Sequence, residues 1–219
     1  MSESNDDTRK RLLESAGEVF AEKGYQAATV REICRRAGAN VAAVNYYFGG
    51  KDRLYFEAVD AAHCAPDAHP TDRWPADASA TERLRLFIAQ MLGRVLDRSR
   101  PSWHVQLIMR EMTTPTAACK ELVEANVRPR VELLLAILDE LVPDTMPAAD
   151  RHLIAFSIVG QCLFYNGGNA VAELLVGQEE FRSYDVERLA DHITRFSLAA
   201  IGQGIATQWD TVSVQGEGE

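Results

Sequence analysis

Apolar residues recur every three to four positions along most of the chain, and no segment of the sequence alternates as a half-buried strand would. This period predicts amphipathic α-helices. The first helix carries its apolar stripe between Leu12 and Phe20, with Asp7 or Thr8 as its N-cap and Gly24 at its end. The pattern therefore predicts an all-α protein.

The segment 29–51 predicts two short helices joined by a tight turn. Thr29 and Glu32 have the S/T-x-x-E spacing of a capping box, so a helix begins just after Thr29. Gly38 can adopt the left-handed conformation that ends this helix, and Asn40 is a good N-cap for the next one. The second helix should turn three residues inward, Val41, Val44 and Phe48, and leave five facing out, Ala42, Ala43, Asn45, Tyr46 and Tyr47.

Small side chains, an amide and two phenols on one helix face suit a surface that is laid against another molecule. A helix–turn–helix whose second helix enters the DNA major groove has this anatomy. Helix–glycine–helix corners also occur in many all-α proteins that bind no nucleic acid. The turn alone therefore leaves both interpretations open.

The charge distribution favours DNA binding at one end of the molecule. The whole chain has a net charge of −9. Residues 8–56 contain nine Lys/Arg and five Asp/Glu, a net charge of +4, so the rest of the chain carries −13. A basic head on an acidic body is the electrostatic pattern expected of a protein that binds a polyanion through its head alone.

The remaining segments predict a larger helical body. A proline-containing loop or linker over 65–79 precedes a second capping box, formed by Ser79 and Glu82. The helical segment 116–142 should kink or break at Arg128, because the residue before a proline disfavours the α conformation. We predict a flexible tail over 1–7, a three-helix helix–turn–helix DNA-binding domain over 8–56, a larger helical ligand-binding and dimerisation domain over 57–209, and a flexible tail over 210–219.

Two late helices predict a homodimer. The helix over 148–165 is apolar almost all round, and the helix over 186–208 carries a row of alanines and glycines. A helix that is apolar on every side must be buried on every side, and one subunit of this size has little surface to cover both. We expect the two helices to pair with those of a second copy in a four-helix interface. An ordinary monomeric core is the alternative.

The sequence predicts no catalysis, cofactor or metal. It has no nucleophile–base motif, Gly-rich phosphate loop or H-E-x-x-H motif. His63, Cys64 and His69 lie within seven residues, but their spacing fits no zinc motif. With no apolar run of 18 residues and no signal-like start, we expect a cytoplasmic protein without a membrane partner. Four widely spaced cysteines should be reduced thiols, with a redox switch between two of them as the alternative: Cys34, Cys64, Cys119 and Cys162.

Residues 8–58 also resemble the DNA-binding domain of TetR/AcrR-type transcriptional regulators. The chain differs from the family's usual pattern at Asn45, where Tyr is frequent, and at Gly50, where Ser is frequent. The resemblance is carried by Leu12-Leu13-x-x-Ala16-x-x-x-Phe20-x-x-x-Gly24-Tyr25, Thr29-Val30-x-x-Ile33, Ala37-Gly38, and Asn45-Tyr46-Tyr47-Phe48-x-x-Lys51-Asp52-x-Leu54.

The resemblance implies a dimeric, ligand-responsive regulator, most often a repressor that a small-molecule inducer releases from a near-palindromic operator. Asn45 would pair with adenine, and Tyr46 and Tyr47 would reach a phosphate or a thymine methyl group. Thr29 and Lys51 would fix the register on phosphates. The DNA contacts that we predict are Thr29, Arg31, Asn40, Ala42, Ala43, Asn45, Tyr46, Tyr47 and Lys51.

The inducer cavity is expected among the helices between Ser79 and Tyr165. The 109–115 stretch and Arg128-Pro129 resemble the body of CecR-type regulators, a TetR subgroup. An all-α enzyme or a protein-binding adaptor is the competing class, although an enzyme needs a base and nucleophile pair and an adaptor does not need the charge split. The candidate lining residues, which core packing would explain equally well, are Trp103, Met109, Arg110, Met112, Phe156 and Tyr165.

Overall fold

The computed structural model describes residues 2–63, 74–97, 99–165 and 170–202. All regular structure in these ranges is helical. A single π-helical turn, Val123–Val127, separates α7 from α8. The α-helices are α1 (Ser2–Ala27), α2 (Val30–Ala37), α3 (Val41–Phe48), α4 (Lys51–His63), α5 (Ala80–Val95), α6 (Ser102–Thr113), α7 (Ala117–Leu122), α8 (Arg128–Asp139), α9 (Ala148–Phe164), α10 (Ala170–Val176), α11 (Gln178–Arg182) and α12 (Val186–Ala200).

The helices form two compact units. The head unit consists of Met1–His69 and Asp97–Glu132, and the body unit consists of Pro70–Leu96 and Leu133–Glu219. The head unit contains the whole of the predicted helix–turn–helix domain. It also contains α6 and α7, which the sequence predicts to be part of the ligand-binding domain.

Helix α1 is the centre of the head unit, where it packs against α2, α4 and α6. Its buried stripe runs from Leu12 to Phe20, as predicted. Gly24 has φ 76° and ψ 168°, so it interrupts the helix where the sequence predicts the helix to end. The predicted N-cap at Asp7 or Thr8 is wrong, because α1 already begins at Ser2. Acidic residues such as Asp6 are favoured in the first turns of a helix by the helix dipole.

The helix before Pro129 deviates from the α conformation one turn earlier than predicted. Arg128 keeps α-helical angles, φ −54° and ψ −50°, and donates its backbone N–H to the Val123 carbonyl. The irregularity is the π-helical turn that ends at Val127. A proline ring clashes with the carbonyl four residues before it, and a wider turn at that point relieves the clash.

Helix α5 is the centre of the body unit, where it packs against α9 and α12. The predicted capping box at its start is confirmed, since Ser79 Oγ accepts the Glu82 N–H at 3.3 Å and the Glu82 carboxylate accepts the Ser79 N–H at 2.9 Å. Helix α12 ends at Ala200. The next two residues, Ile201 and Gly202, form a turn, so the predicted helix ends earlier than expected. Positions 203–208 of that prediction and the predicted tail lie outside the described residues. The core consists of residues such as Leu84, Ile88, Leu92, Leu134, Leu138, Ile158 and Ile193.

Candidate nucleic-acid interface

Helix α2, the first helix of the helix–turn–helix, is capped at both ends as predicted. Thr29 Oγ1 accepts the backbone N–H of Glu32 at 3.2 Å. Gly38 ends the helix in the left-handed conformation with φ 62°. The Glu32 side chain, however, accepts both of its 2.7 Å hydrogen bonds from Lys23 Nζ rather than from Thr29. A charged donor makes the stronger bond to a carboxylate, so the capping box is only half formed.

Helix α3, the second helix of the motif, is also held at both ends. Asn40 Oδ1 accepts the backbone N–H of Ala42 at 3.0 Å, which confirms the predicted N-cap. Gly49 ends the helix with φ 75° and donates its N–H to the Asn45 carbonyl at 3.0 Å. Both caps fix the direction in which this short helix presents its side chains.

The inward face of α3 is smaller than the sequence predicts. Val44 and Phe48 are buried in the head core, as expected. Val41 is 46% exposed, so its predicted inward position is wrong. As the first residue of the helix, Val41 has helical neighbours on one side only.

The outward face of α3 is dominated by Tyr46, whose side chain is 75% exposed. Tyr47 and Ala43 are only partly exposed and pack against the head core. The Tyr47 hydroxyl donates a hydrogen bond to Asn5 Oδ1 of α1, so this phenol already has a partner within the chain. The other exposed positions of the face are Ala42 and Asn45.

The three arginines of α2 have different surroundings. Arg36 contacts two carboxylates of α1, with Nη2 2.6 Å from Glu22 Oε2 and Nη1 3.8 Å from Glu18 Oε2. The hydrogen bond from Arg36 holds the pKa of Glu22 below its usual value. Arg31 and Arg35 are exposed, and neither has an ion-pair partner in the described part of the chain. These two arginines are therefore available to phosphates, whereas Arg36 is not.

Lys51 lies in the first turn of α4, next to the end of the motif. Its Nζ is 4.4 Å from the centroid of the Tyr25 ring, a cation–π contact. The Tyr25 hydroxyl donates to the carboxylate of Asp52, and this hydrogen bond raises the pKa of Tyr25. The sequence does not predict this intramolecular contact of Lys51. Its predicted role at a phosphate stays a prediction.

Two of the predicted ligand-binding residues serve as internal contacts of the head unit. Trp103 is buried, and its Nε1 donates to Glu14 Oε2 of α1 at 3.1 Å. The Arg110 guanidinium donates to the backbone carbonyls of Ala21 at 3.2 Å and Glu22 at 3.1 Å, near the end of α1. Both side chains therefore attach α6 to α1.

The other four candidates for ligand binding are divided between the two units. Met109 and Met112, on α6 of the head unit, are 36% and 57% exposed. Phe156, on α9 of the body unit, is 59% exposed, and Tyr165 packs partly buried against the body core. Each unit thus contains only some of the predicted lining residues.

A buried carboxylate in the head unit is absent from the sequence-based predictions of site residues. Glu111 is 2% exposed; it accepts a hydrogen bond from the Tyr55 hydroxyl of α4 and another from the Thr116 N–H at 3.1 Å. Burial, followed by the hydrogen bond to Glu111, raises the pKa of Tyr55. The sequence does carry a signal, because Trp103, Leu107 and Glu111 share one face of α6 at a spacing of four.

Comparison with known proteins divides the chain into an N-terminal and a C-terminal segment, and the C-terminal segment includes α6 and α7 of the head unit. Residues 12–58 match the family model described as bacterial regulatory proteins, tetR family. Residues 80–201, more than half of the chain, match the model described as HTH-type transcriptional dual regulator CecR, C-terminal domain. This chain belongs to the TetR family. Its C-terminal segment, residues 80–201, is of the CecR type, so both resemblances seen in the sequence are confirmed.

Relatives of this TetR-family chain are named as transcriptional regulators or repressors. The HTH-type transcriptional dual regulator CecR from Shigella flexneri is 26% identical over 204 residues, which cover 89% of this chain and 91% of CecR. The repressor AcnR from Corynebacterium efficiens is 38% identical over 60 residues, 26% of this chain and 32% of AcnR. The chain is thus a TetR-family transcriptional regulator.

Solved structures confirm the all-helical fold of the TetR-family chain. A putative fatty acid metabolism regulator from Clostridium perfringens superposes with a TM-score of 0.64 at 20% identity, covering 90% of this chain and all of that one. HlyIIR, a hemolysin II transcriptional regulator, superposes with a TM-score of 0.59 at 20% identity, covering 87% and 98% of the two chains. At these identities the likeness concerns the fold alone.

Neither a membrane span nor a metal cluster is found in the part of the chain that the structure describes. No helix there is long and apolar enough to cross a membrane. No group of three His, Cys, Asp or Glu side chains there could hold a metal ion. Of the cluster considered in the sequence, Cys64 and His69 lie outside the described residues, and His63 Nε2 is 2.9 Å from Arg130 Nη1.

Proposed function

We propose that this TetR-family regulator is a homodimeric repressor that leaves a near-palindromic operator when a small-molecule inducer binds. The proposal rests above all on the capped helix α3, which presents Tyr46 with three-quarters of its side chain exposed. An exposed aromatic side chain on a helix that is capped at both ends is well placed to enter the major groove. We also propose that the protein acts in the cytoplasm.

On the DNA, α3 would lie in the major groove, with Asn45 and Tyr46 facing base edges. Ala42 leaves room for a close approach of the helix to the bases. Arg31 and Thr29 of α2 would contact the phosphate backbone, which fixes the register of the protein on the duplex. Exposure of these side chains supports the assignment, as does the absence of an ion-pair partner for Arg31 within the described chain.

The dimer would form through α9 and α12 of the body unit. Leu153 and Phe156 of α9 are 62% and 59% exposed, and Phe196 of α12 is 58% exposed. Exposed apolar side chains of this size on neighbouring helices mark a protein interface more often than a water-facing surface. A two-fold axis through them would bury the same residues on both subunits.

The inducer is the third part of the proposal. Proteins of this family are typically ligand-responsive, and we propose that a small-molecule inducer binds this chain as well. A ligand can shift the equilibrium between DNA-bound and free forms only if it binds one of them more tightly. The CecR relative is named a dual regulator, so a reporter gene fused to the operator must decide between repression and activation.

Selection of bound sequences from random duplex DNA, followed by mobility shifts on the selected sequence, tests the DNA-binding part. The double variant Tyr46→Ala/Lys51→Ala should bind the selected duplex at least about 100-fold more weakly, since it loses one base-edge contact and one phosphate contact. The matched control Tyr46→Ala/Lys120→Ala, which keeps Lys51 and alters an exposed lysine of α7, should bind more tightly than the first double variant. Undiminished binding by Tyr46→Ala/Lys51→Ala would contradict the assignment of α3 as the reading helix.

A further inference from the structure

The head unit contains an open pocket of about 480 Å³ that is separate from all the predicted inducer contacts. It lies between the end of α1, the first turns of α4 and the start of α7, and none of the six candidate ligand-binding residues lines it. Small-molecule sites commonly have volumes of about 300–1,000 Å³, so the pocket is large enough for an organic ligand.

One wall of the pocket consists of aromatic rings. The rings of Tyr25 and Tyr55 meet with their centroids 5.0 Å apart at an angle of 66°, and Phe56 adds a third ring. Tyr55 is held in place by its hydrogen bond to the buried Glu111. The wall is therefore preorganised rather than assembled when a ligand arrives.

The charged side chains around the pocket favour a cation. Asp52 and Glu121 contribute carboxylates, and Glu121 has no ion-pair partner within the described chain. Arg53 is the one basic residue among the described lining residues; its guanidinium carbon is 4.5 Å from the centroid of the Phe56 ring, and its Nε is 3.7 Å from Glu57. Two carboxylates and one guanidinium give the lining a net charge of −1.

We propose that this pocket binds a small organic cation with an apolar body, such as a substituted ammonium ion. Cations are attracted to the faces of aromatic rings, and aromatic cages with a nearby carboxylate recognise quaternary ammonium groups. The contact of Lys51 Nζ with Tyr25 is an intramolecular example of the same attraction at this site. An anionic ligand of the same size would meet two carboxylates and a single arginine.

A ligand in this pocket would act next to the DNA-binding surface. It would contact the first turn of α4, which begins at Lys51 directly after the helix–turn–helix, and at the same time the start of α7. By bridging these two helices it would favour one arrangement of the head and so change its affinity for DNA. This regulatory consequence rests on the DNA-binding function proposed above, whereas the binding site itself does not.

Calorimetric titration of the full chain without DNA tests the site, with benzyltrimethylammonium as the probe. Benzyl alcohol and benzoate serve as neutral and anionic compounds of similar shape. The cation should bind at least about five-fold more tightly than either. Glu121→Gln should weaken its binding by about two- to five-fold, and Phe56→Leu by about three-fold. Glu132→Gln, the same charge change at an exposed position of α8 outside the pocket, should leave the affinity unchanged.

Equal binding of the three compounds would overturn the proposal, as would equal losses in Glu121→Gln and Glu132→Gln. Mobility shifts with and without the probe then test the regulatory consequence. If the cation binds but DNA affinity stays constant, the site stands and its regulatory role is refuted. If the chain binds no duplex DNA at all, the proposed function fails, and the titration still decides whether the site exists.

Discussion

The indole ring of Trp103 lies directly against the backbone of Gly17. A Cβ atom at position 17 would be only 2.4 Å from Trp103 Cε3, a distance that real Cβ atoms do not tolerate. The absence of a side chain at Gly17 therefore allows α6 to approach α1 this closely. Through this contact, and through the hydrogen bond of Trp103 to Glu14, α6 becomes a structural part of the head unit.

Substitution of Gly17 by alanine should destabilise the head unit. The added methyl group must displace the Trp103 ring, and overpacking of this kind costs about 1–3 kcal/mol, more than the gain in helix propensity returns. Urea unfolding followed by far-UV circular dichroism measures the change. Gly93→Ala in α5 is the control, because nothing lies within 4 Å of its Cβ position. That variant should be neutral or stabilised by up to about 1 kcal/mol, and equal destabilisation of both variants would contradict the proposed clash.

The buried pair formed by Tyr55 and Glu111 should show a large coupling energy. Removal of either partner leaves the other one buried without its hydrogen bond, which costs about 1–3 kcal/mol, whereas removal of both costs less than the sum. A double-mutant cycle with Tyr55→Phe and Glu111→Leu, measured by urea unfolding, should therefore give a non-additive result.

The chain offers a matched pair as the control for this cycle. The Tyr184 hydroxyl donates to Glu180 Oε1 at 2.8 Å, but at the surface and between residues four apart in sequence. Water replaces the lost partner at such a site, so Tyr184→Phe and Glu180→Leu should be additive. Equal coupling energies in the two cycles would contradict the expectation that burial strengthens the coupling between Tyr55 and Glu111.

The predictable parts of the structure are those that depend on neighbours in sequence. The caps at Thr29 and Asn40 and the left-handed turn at Gly38 follow from the hydrogen-bonding and steric properties of single residues, and all three are present. The amphipathic stripe of α1 is equally local. The sequence places the start of α1 too late. A good N-cap residue such as Asp7 can also lie inside a helix, and α1 in fact begins at Ser2.

The roles of α6 depend on contacts between residues far apart in sequence. Arg110 reaches the carbonyl of Ala21 across 89 positions, and Glu111 reaches Tyr55 across 56. Periodicity places Trp103 and Glu111 on one face of a helix, but it does not say which other helix covers that face. For the same reason the sequence predicts that Trp103 and Arg110 contact a ligand, whereas the structure gives both a partner in α1.

The buried thiol of Cys162 should react slowly with alkylating reagents in the folded protein. Burial raises the pKa of Cys162 to about 12, so at pH 8 only about one thiol in ten thousand is ionised, and the thiolate is the reactive form. Iodoacetamide should therefore modify Cys162 very slowly in the folded protein at pH 8. The rate of this modification should rise about ten-fold per pH unit between pH 8 and 10, because the thiolate fraction does. Peptide mass spectrometry measures the modification. All four cysteines should react in urea, and fast labelling of Cys162 without denaturant would show that its site opens.

Two arginines of α2 should contribute to the salt dependence of DNA binding, and the third should not. Arg31→Gln and Arg35→Gln should each weaken binding to all sequences alike and reduce the slope of log affinity against log salt by about 2, because each removes one phosphate contact from both subunits of the proposed dimer. Arg36→Gln is the control, since Arg36 is already bound to Glu22. Fluorescence anisotropy of a labelled duplex at several salt concentrations gives the three slopes. An unchanged slope for both Arg31→Gln and Arg35→Gln would show that α2 does not lie along the phosphate backbone.

The proposed dimer can be tested at the exposed aromatic residues of the body unit. Phe156→Glu/Phe196→Glu would place four carboxylates in the symmetric interface and remove four apolar side chains, each worth about 1.5–3 kcal/mol when buried. Sedimentation velocity should find the wild type as a dimer and this variant as a monomer with an unchanged helical circular dichroism spectrum. Met112→Glu is the control, because Met112 is 57% exposed on α6, similar to 59% for Phe156, but lies in the head unit. That variant should remain dimeric. A wild type that stays monomeric at high concentration, or a double variant that still dimerises, would exclude α9 and α12 as the interface.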